Sequence, residues 1–446
     1  MAEIFPFAAY RYNPARAQFG RVVTQPYDKI TPAMQEKYVT ADSHNLVAIE
    51  KGRRFPEDTS QNNVYTRAAK ALEEWIAEGV LVRDPEASLY VSEQDYEVPG
   101  AKERRVRRGI IALSRIEDYS AGVVFRHEQT LEAPKADRLE LLRHTRAHTG
   151  QLFMLYSDPE RMADALADEA SRAAPDMDVR DEYGVAHRLW VISDEARIAR
   201  IRQLLADKKL VIADGHHRYE TALAYRDECR ARLGTADRNA PHERVMMTLV
   251  NMHSEGLTIL PTHRVVGNLR EFAWEAFRRK LETHFELQAF RFSTNAERET
   301  ALKSFMAQLS AQGRERRALG AYAAQKENAR AFYLLLLKPE ARLAELLPKV
   351  SPPQRELDVV LLHGLVLEKG LGISAEDVVR EKNVTYEREM EAAISAVDRG
   401  AAQVCFLLNP VGVEQVMSMA TSGEVLPQKS TDFYPKLLSG VTIYKL

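Results

Sequence analysis

Apolar residues recur along the chain in two rhythms, one suited to strands and one to helices. The junction with the clearest change of rhythm is Leu210-Val211-Ile212-Ala213-Asp214-Gly215-His216-His217-Arg218-Tyr219-Glu220-Thr221-Ala222. The run 210–213 predicts a short buried strand, and helical spacing resumes after Asp214-Gly215 through Tyr219, Ala222, Leu223 and Tyr225. A glycine at such a turn admits backbone angles that other residues resist, and lets a ligand come close. Upstream, 5–10 and 21–25 predict short strands, and Thr31 as N-cap with Pro32 at the first helical position predicts a helix start. Residues 64–78 form an amphipathic helix pattern, with Ala68, Leu72, Trp75 and Ile76 on one face. The alternating segment 89–98 and the segment 104–116 predict a hairpin through Gly100-Ala101-Lys102. Arg104, Arg105, Arg107 and Arg108 fall on both faces of its second strand, as on a solvated sheet edge. A helix over 138–149 would put Arg138 and Arg146 on one stripe.

Further strands are expected at 151–156, 187–192 and 245–250, and a helix at 195–206. Past Leu269 the composition changes. Helices at 271–284, 294–312, 357–371 and 413–422 alternate with strands at 285–292, 319–324, 329–337, 403–408 and 440–444, and Lys326-Glu327-Asn328 forms one turn. The expectation is a mixed α/β (α+β) protein with a core domain over 1–267 and an α+β C-terminal domain over 268–446. The last strand and the Lys429-Ser430-Thr431 loop are expected to return to the core.

Composition narrows the function classes. The 446 residues are 45% hydrophobic and 28% charged, ordinary globular values. A net charge of −2 argues against bulk nucleic acid as the main partner, which needs a broad positive field. Two cysteines, Cys229 and Cys405, fit a reducing cytoplasm rather than a disulfide framework. Met1-Ala2-Glu3-Ile4-Phe5-Pro6 has no signal-peptide pattern and no window approaches a membrane span, so a cytoplasmic protein is expected.

Candidate chemistry gathers at a few places. The helix opening after Gly215 offers unpaired N–H groups and the positive end of a dipole. With His216, His217 and Arg218 this makes a site for an anion, most naturally a phosphate. Neither a Walker loop nor a Rossmann fingerprint is present. Asp28 lies between a strand and a helix, where its carboxylate could face a metal-bound phosphate. In Arg126-His127-Glu128-Gln129-Thr130, His127 or Glu128 is a candidate general acid or base, and Arg138 a phosphate ligand. Leu131 stands where a zincin motif needs its second histidine. Pro261-Thr262-His263-Arg264 is a second strand end carrying His-Arg, and Lys429-Ser430-Thr431 pairs a cation with two hydroxyls. Each has a structural alternative: a turn, a helix cap, surface ion pairs or a docking loop.

These residues also carry a resemblance. The Asp214–Ala222 run, Gln25-Pro26-Tyr27-Asp28, Arg126–Thr130, Pro261–Arg264 and Pro427-Gln428-Lys429-Ser430-Thr431 resemble a bacterial and archaeal family called domain of unknown function 1015. A more distant likeness is to the ParB/sulfiredoxin superfamily, in which a strand, a Gly-x-His-Arg or Gly-x-Arg-Arg turn and a helix bind nucleotide phosphates. Its free-serine kinases use a similar Asp-Gly-x-His-Arg turn. The resemblance implies a ParB/sulfiredoxin-like core with insertions. It also implies phosphoryl transfer on a small molecule such as free serine or phosphoserine, with ATP or ADP and Mg²⁺. Arg218, Arg138, Arg264 and Lys429 would then serve as clamps. His263, Ser430, Thr431, Gly215 and His216 would join them in binding phosphate. Asp214, His217, Glu128 and His127 would be the catalytic candidates, and Asp28 the metal ligand. A homodimer is compatible with this reading. The alternative is a nucleotide-responsive, ParB-like regulatory or nucleic-acid-binding protein. A metal hydrolase using His216 and His217 is disfavoured, because adjacent side chains point apart.

Overall fold

The computed structural model describes residues 2–128, 132–323 and 330–446. Gln129, Thr130 and the Lys326-Glu327-Asn328 turn lie outside them. The chain is mixed α/β and forms two compact units, Met1–Thr258 with Phe433–Leu446, and Ile259–Asp432. The strand His263–Val266, expected in the core domain, belongs to the second unit. It is hydrogen-bonded there between Val384–Glu387 and Val404–Leu407. The chain end belongs to the first, where Tyr444–Lys445 pairs with Ala147–His148. Of the expected closing strand 440–444, only Tyr444 belongs to that ladder. The Lys429–Thr431 loop lies in the second unit.

The first unit is built on a nine-stranded sheet of the described residues. Its order is Val124–Phe125, Leu210–Asp214, Leu152–Tyr156, Arg244–Asn251, Arg104–Arg115, Leu89–Glu97, Ala186–Ile192 and Met177–Arg180, with Ile4–Phe5 pairing Arg104–Arg115. Leu152–Tyr156 runs parallel to Arg244–Asn251, and Leu210–Asp214 parallel to Val124–Phe125; the other pairs are antiparallel. Both faces are covered. Ile110, Ala112, Met154, Ile212 and Met247 pack on one side with Ile201, Leu205, Tyr219 and Ala222. Ile111, Leu113, Met246 and Tyr90 pack on the other with Phe7, Leu438 and Val441. Burial on both faces is why these strands read as continuous apolar runs rather than alternations.

The hairpin has the expected partners, from Tyr90 opposite Ile111 to Glu97 opposite Arg104. Its second strand is central in the sheet, however, so the arginines are not at an edge. Arg104 pairs with Asp95, Arg105 with Glu103, and Arg108 with Glu93 and Asp168, all toward the solvent-washed end. Arg107, on the same face of the strand as Arg105, is buried.

Helix starts follow local rules. Thr31 Oγ1 accepts the Met34 N–H at 3.2 Å, and Pro32 opens the helix Pro32–Ala41. Residues 21–25 do not form a strand, because Phe19–Val22 coils into a short helix. The segment expected as a helix over 138–149 is helical over Glu132–Thr145. Arg146 follows at φ +48, so it does not extend a stripe with Arg138. Among the described residues no helix is long and apolar enough to cross a membrane.

Among the described residues the second unit holds a six-stranded antiparallel sheet in the order Phe285–Arg291, Ala331–Leu337, Ala318–Ala323, Val404–Leu407, His263–Val266 and Val384–Glu387. Phe305 and Leu309 of the helix Asn295–Glu315 pack on its Phe332, Leu334, Cys405 and Leu407. Cys229 and Cys405 are both buried free thiols.

Candidate functional site

The strand Leu210–Asp214 is buried up to its last residue, where the ladder with Leu152–Tyr156 slips register between Ile212 and Asp214. Gly215 then takes φ +97, left-handed backbone that a side chain resists. A Cβ there would stand 2.9 Å from Leu152 Cδ2 and 3.8 Å from the Arg218 guanidinium carbon. The turn is therefore closed around glycine. The helix His216–Leu233 opens directly behind it, with no side-chain cap on its first N–H groups.

Charged groups converge at this turn. Lys436 donates to Asp214 at 2.7 Å, and Arg218 Nη2 lies 3.6 Å from the same carboxylate. Burial would raise the Asp214 carboxyl, but Lys436 and Arg218 outweigh it and hold the group well below the usual carboxylate range. Arg218 Nη1 donates to the Gln151 carbonyl. Its Nε is buried and has no hydrogen-bond partner among the described residues.

Beside it lies Glu50, which is 2% exposed. Thr149 donates to Glu50 Oε2 at 2.5 Å, and Ser439 Oγ lies 3.4 Å from Oε1. Gly150 measures how close these groups are. A Cβ added there would be 2.9 Å from Ser439 Oγ, 3.1 Å from Arg218 Nη1 and 3.6 Å from Glu50 Oε1. Arg138 donates to the Glu50 carbonyl at 2.8 Å and sits 4.3 Å over the Tyr27 ring. Burial pushes the Tyr27 hydroxyl up to about 12, with Arg218 and Arg138 opposing, and Asp28 and Asp214 adding to the shift. Asp28 also acts on Arg218, and Lys29 on Asp214. Four of the expected residues, Asp28, Arg138, Asp214 and Arg218, are thus brought to one place.

The histidines play another part. His127 is 1% exposed and donates from Nδ1 to the Ile212 carbonyl at 2.6 Å. Burial holds it down at about 4, against that hydrogen bond and Asp214. The His127 N–H donates to His216 Nε2 at 3.4 Å, and the two rings meet edge-on with centroids 4.7 Å apart. His216 is pushed well below its usual range by burial and by His127. Both imidazoles are therefore neutral near pH 7. They join strand end to helix start, and Arg218 rather than His216 supplies the cation of the motif. His217 and Glu128 are half-buried.

The remaining expected residues lie in the second unit. His263 is buried, accepts the Leu408 N–H on Nδ1 at 3.1 Å, and is held down at about 4 by burial and Arg264. Arg264 donates to the Thr262 carbonyl at 2.6 Å and the Gln428 carbonyl at 3.4 Å, and lies 4.8 Å over Tyr386. The two sequence stretches containing them, 261–264 and 427–431, thus meet within that unit. Ser430 donates to the Pro427 carbonyl at 2.5 Å. Lys429 is exposed with φ +57, and Thr431 is half-buried. Among the described residues no group of three or more His, Cys, Asp or Glu side chains is arranged to hold a metal ion.

Glu50 and Lys436 of the first cluster have no sequence signal of their own, and Arg107 reads from sequence as a sheet-edge cation. Glu50 sits in Val47–Glu50, a short helix with no motif around it. Lys436 follows the Pro427–Thr431 stretch but was not singled out. Arg107 donates to the Tyr434 carbonyl at 3.0 Å, to the Pro435 carbonyl and to Gln94 Oε1, and lies 4.5 Å over the Phe153 ring. Gln94 in turn donates to the Lys436 carbonyl at 2.7 Å. Together they fasten the segment that carries Lys436 to Asp214. Burial lowers the Arg107 guanidinium to about 10, with Tyr96 and Asp214 opposing.

Fold and site define a mixed α/β protein with a cation-rich turn between a buried strand and a helix. The chain belongs to the family described as protein of unknown function (DUF1015), whose pattern matches residues 4–360. No curated protein matches it. Among solved structures, a conserved hypothetical protein from Pyrococcus furiosus is 12% identical with a TM-score of 0.31, covering 70% of this chain and 87% of its own. A free serine kinase variant in complex with ADP is 11% identical with a TM-score of 0.35, covering 76% and 90%. SbnI from Staphylococcus aureus, truncated at its C-terminus, is 10% identical with a TM-score of 0.33, covering 74% and 85%. Likenesses at this level say nothing of activity.

Proposed function

We propose that the protein is a phosphotransferase that moves a phosphoryl group between a nucleotide, ATP or ADP, and the hydroxyl of a small molecule. The observation that carries this reading is Arg218. Its guanidinium stands at the opening of an 18-residue helix, with a buried Nε that lacks a partner among the described residues. A phosphate oxygen is the acceptor that such a donor and the first helical N–H groups fit together. Phosphoryl transfer asks for cationic clamps and one carboxylate to orient the attacking hydroxyl. Arg218, Lys436 and Arg138 supply the first, and Glu50, Asp28 or Asp214 the second. The acceptor hydroxyl attacks the terminal phosphorus, its proton passes to that carboxylate, and the nucleoside diphosphate leaves from ATP, or the monophosphate from ADP.

Glu128, His217 and His127 remain the acid–base candidates at the turn, His127 through its neutral ring. The described residues do not fit a protein-held metal cage. A Mg²⁺ arriving on nucleotide phosphates needs only one or two carboxylates, and we assign that role to Asp28, whose charge acts on Arg218. Serine as the acceptor, or phosphoserine in the reverse sense, rests on the likeness of the Asp214–Arg218 turn to that of free-serine kinases.

The test is a thermal-shift titration of the full chain with ATP, ADP, phosphoserine and serine, with and without Mg²⁺, followed by ³¹P detection of phosphoserine. Nucleotide should raise Tm in the parent protein and fail to do so in Arg218→Ala. An unchanged nucleotide response in that variant, or no response in the parent, would remove the basis for the assignment.

A further inference from the structure

The second unit contains a pocket of about 70 Å³ whose chemistry differs from that of a phosphate site. Its wall includes Asp358, Asn409, Gln415, Ser430, Thr262 and Arg317. Asp358 opens the short helix Asp358–Leu361. Its Oδ1 is excluded from solvent and has no hydrogen-bond partner among the described residues. Burial pushes this carboxyl up to about 7, although Arg317 and the Ala318 N–H act in the opposite direction. A buried carboxylate oxygen without a donor costs free energy, so the site is completed by whatever brings one.

The rest of the wall says what that is. Asn409 spends an N–H on the Leu309 carbonyl at 3.0 Å, which leaves its side-chain oxygen an acceptor. Ser430 donates its own proton to Pro427, so its oxygen is also left to accept. Arg317 is engaged by Glu356 at 2.7 Å. The wall thus offers acceptors and an incipient negative charge, with one amide donor from Gln415, whose oxygen already accepts the Gly412 N–H at 2.9 Å. That disfavours an anion and favours a donor with several N–H bonds. The volume holds about two waters at roughly 30 Å³ each, or an ammonium on a stem of one or two carbons. Pro410, one of the lining residues, is exposed.

We propose that this pocket is a primary-amine site, in which an ammonium group donates to Asp358, Asn409 and Ser430. A ligand of about three non-hydrogen atoms reaches a Kd no tighter than about 1 mM. The site therefore responds to an abundant small amine, or to the amino end of a larger molecule whose remainder stays outside.

The test uses the full chain at pH 8 and constant ionic strength. Ethylammonium chloride is titrated to about 50 mM against ethanol and tetramethylammonium chloride, with Tm as the readout. Ethylammonium should raise Tm along a saturating curve with a millimolar midpoint, while the two controls give at most a shallow linear drift. Asp358→Asn keeps the shape and removes the charge, so it should fold and lose the saturating response. The same titration followed by carbon NMR of the aspartate carboxyls should show one resonance near neutral pH moving with ethylammonium. An equal response to ethanol would mean a water pocket, and an equal response to tetramethylammonium a general salt effect. Either result, or a saturating response retained in Asp358→Asn, overturns the proposal.

Discussion

Asp214 has two cations against it, and that fixes how the first site depends on pH. Its carboxyl lies below the unfolded value of about 3.9 because Lys436 and Arg218 outweigh its burial. A carboxyl with a depressed folded pKa adds stability above its unfolded pKa, and that stability is lost as pH falls through the folded pKa. Lys436→Met removes the closer cation, 2.7 Å away, and should shrink this contribution. The pair is mostly enclosed, at 10% and 23% exposure. The loss near pH 7 should therefore be about 2 kcal/mol, between the values for exposed and fully buried pairs. Acid unfolding followed by circular dichroism should move its midpoint to higher pH in the variant. A midpoint that stays put would mean that Lys436 does not govern the Asp214 charge.

Between elements, two glycines separate folding from binding. Gly215 has φ +97 and backs onto Leu152, so Gly215→Ala strains backbone and core together and should cost about 1–3 kcal/mol of stability. Gly150 has ordinary backbone, and the atoms a Cβ would crowd are Ser439 Oγ and Arg218 Nη1, both ends of side chains that can move. Gly150→Ala should melt within a few degrees of the parent, yet bind nucleotide at least about tenfold more weakly, because Arg218 is displaced. Isothermal titration and calorimetry on the two variants check this, and equal losses of stability would contradict it. The same elements show what a sequence discloses. The Thr31-Pro32 start, the 89–116 hairpin and the Asp214-Gly215 turn were legible because their signals are local: a cap, an alternation, a glycine. Glu50 was not, because only Thr149 and Ser439, distant in sequence, make it a buried polar group. Arg107 was misplaced because alternation reports a face, and only the sheet order reveals that the face is covered. His216 was expected as part of a cationic anion site and His127 as a general acid or base, whereas burial pushes the pKa of both rings down.

At the scale of the molecule, the first unit is interrupted between Thr258 and Phe433 and is completed only by the last residues of the chain. That short segment does more than close the fold. Leu438 and Val441 enter the core formed with Tyr90 and Ile111, and Ile443 enters the one formed with Tyr12 and Trp75. Ser439 exchanges backbone hydrogen bonds with Thr24 and stands beside Glu50, while Lys436 reaches Asp214. Core and site therefore depend on the same stretch. Three large apolar side chains, each adding about 1.5–3 kcal/mol on burial, represent much of the 5–15 kcal/mol that a domain has in total. A chain ending at Asp432 should thus lose protection in the first unit and lose every nucleotide-induced shift, while the sheet through His263–Val266 and Val404–Leu407 keeps its own core. Hydrogen exchange resolved by peptide tests this directly. Fast exchange in Leu210–Asp214 and Leu152–Tyr156 with slow exchange in Ala331–Leu337 is the expected pattern. Full protection of the first unit without residues 433–446 would show that its core closes without the chain end, and would remove Lys436 from any role in building the site.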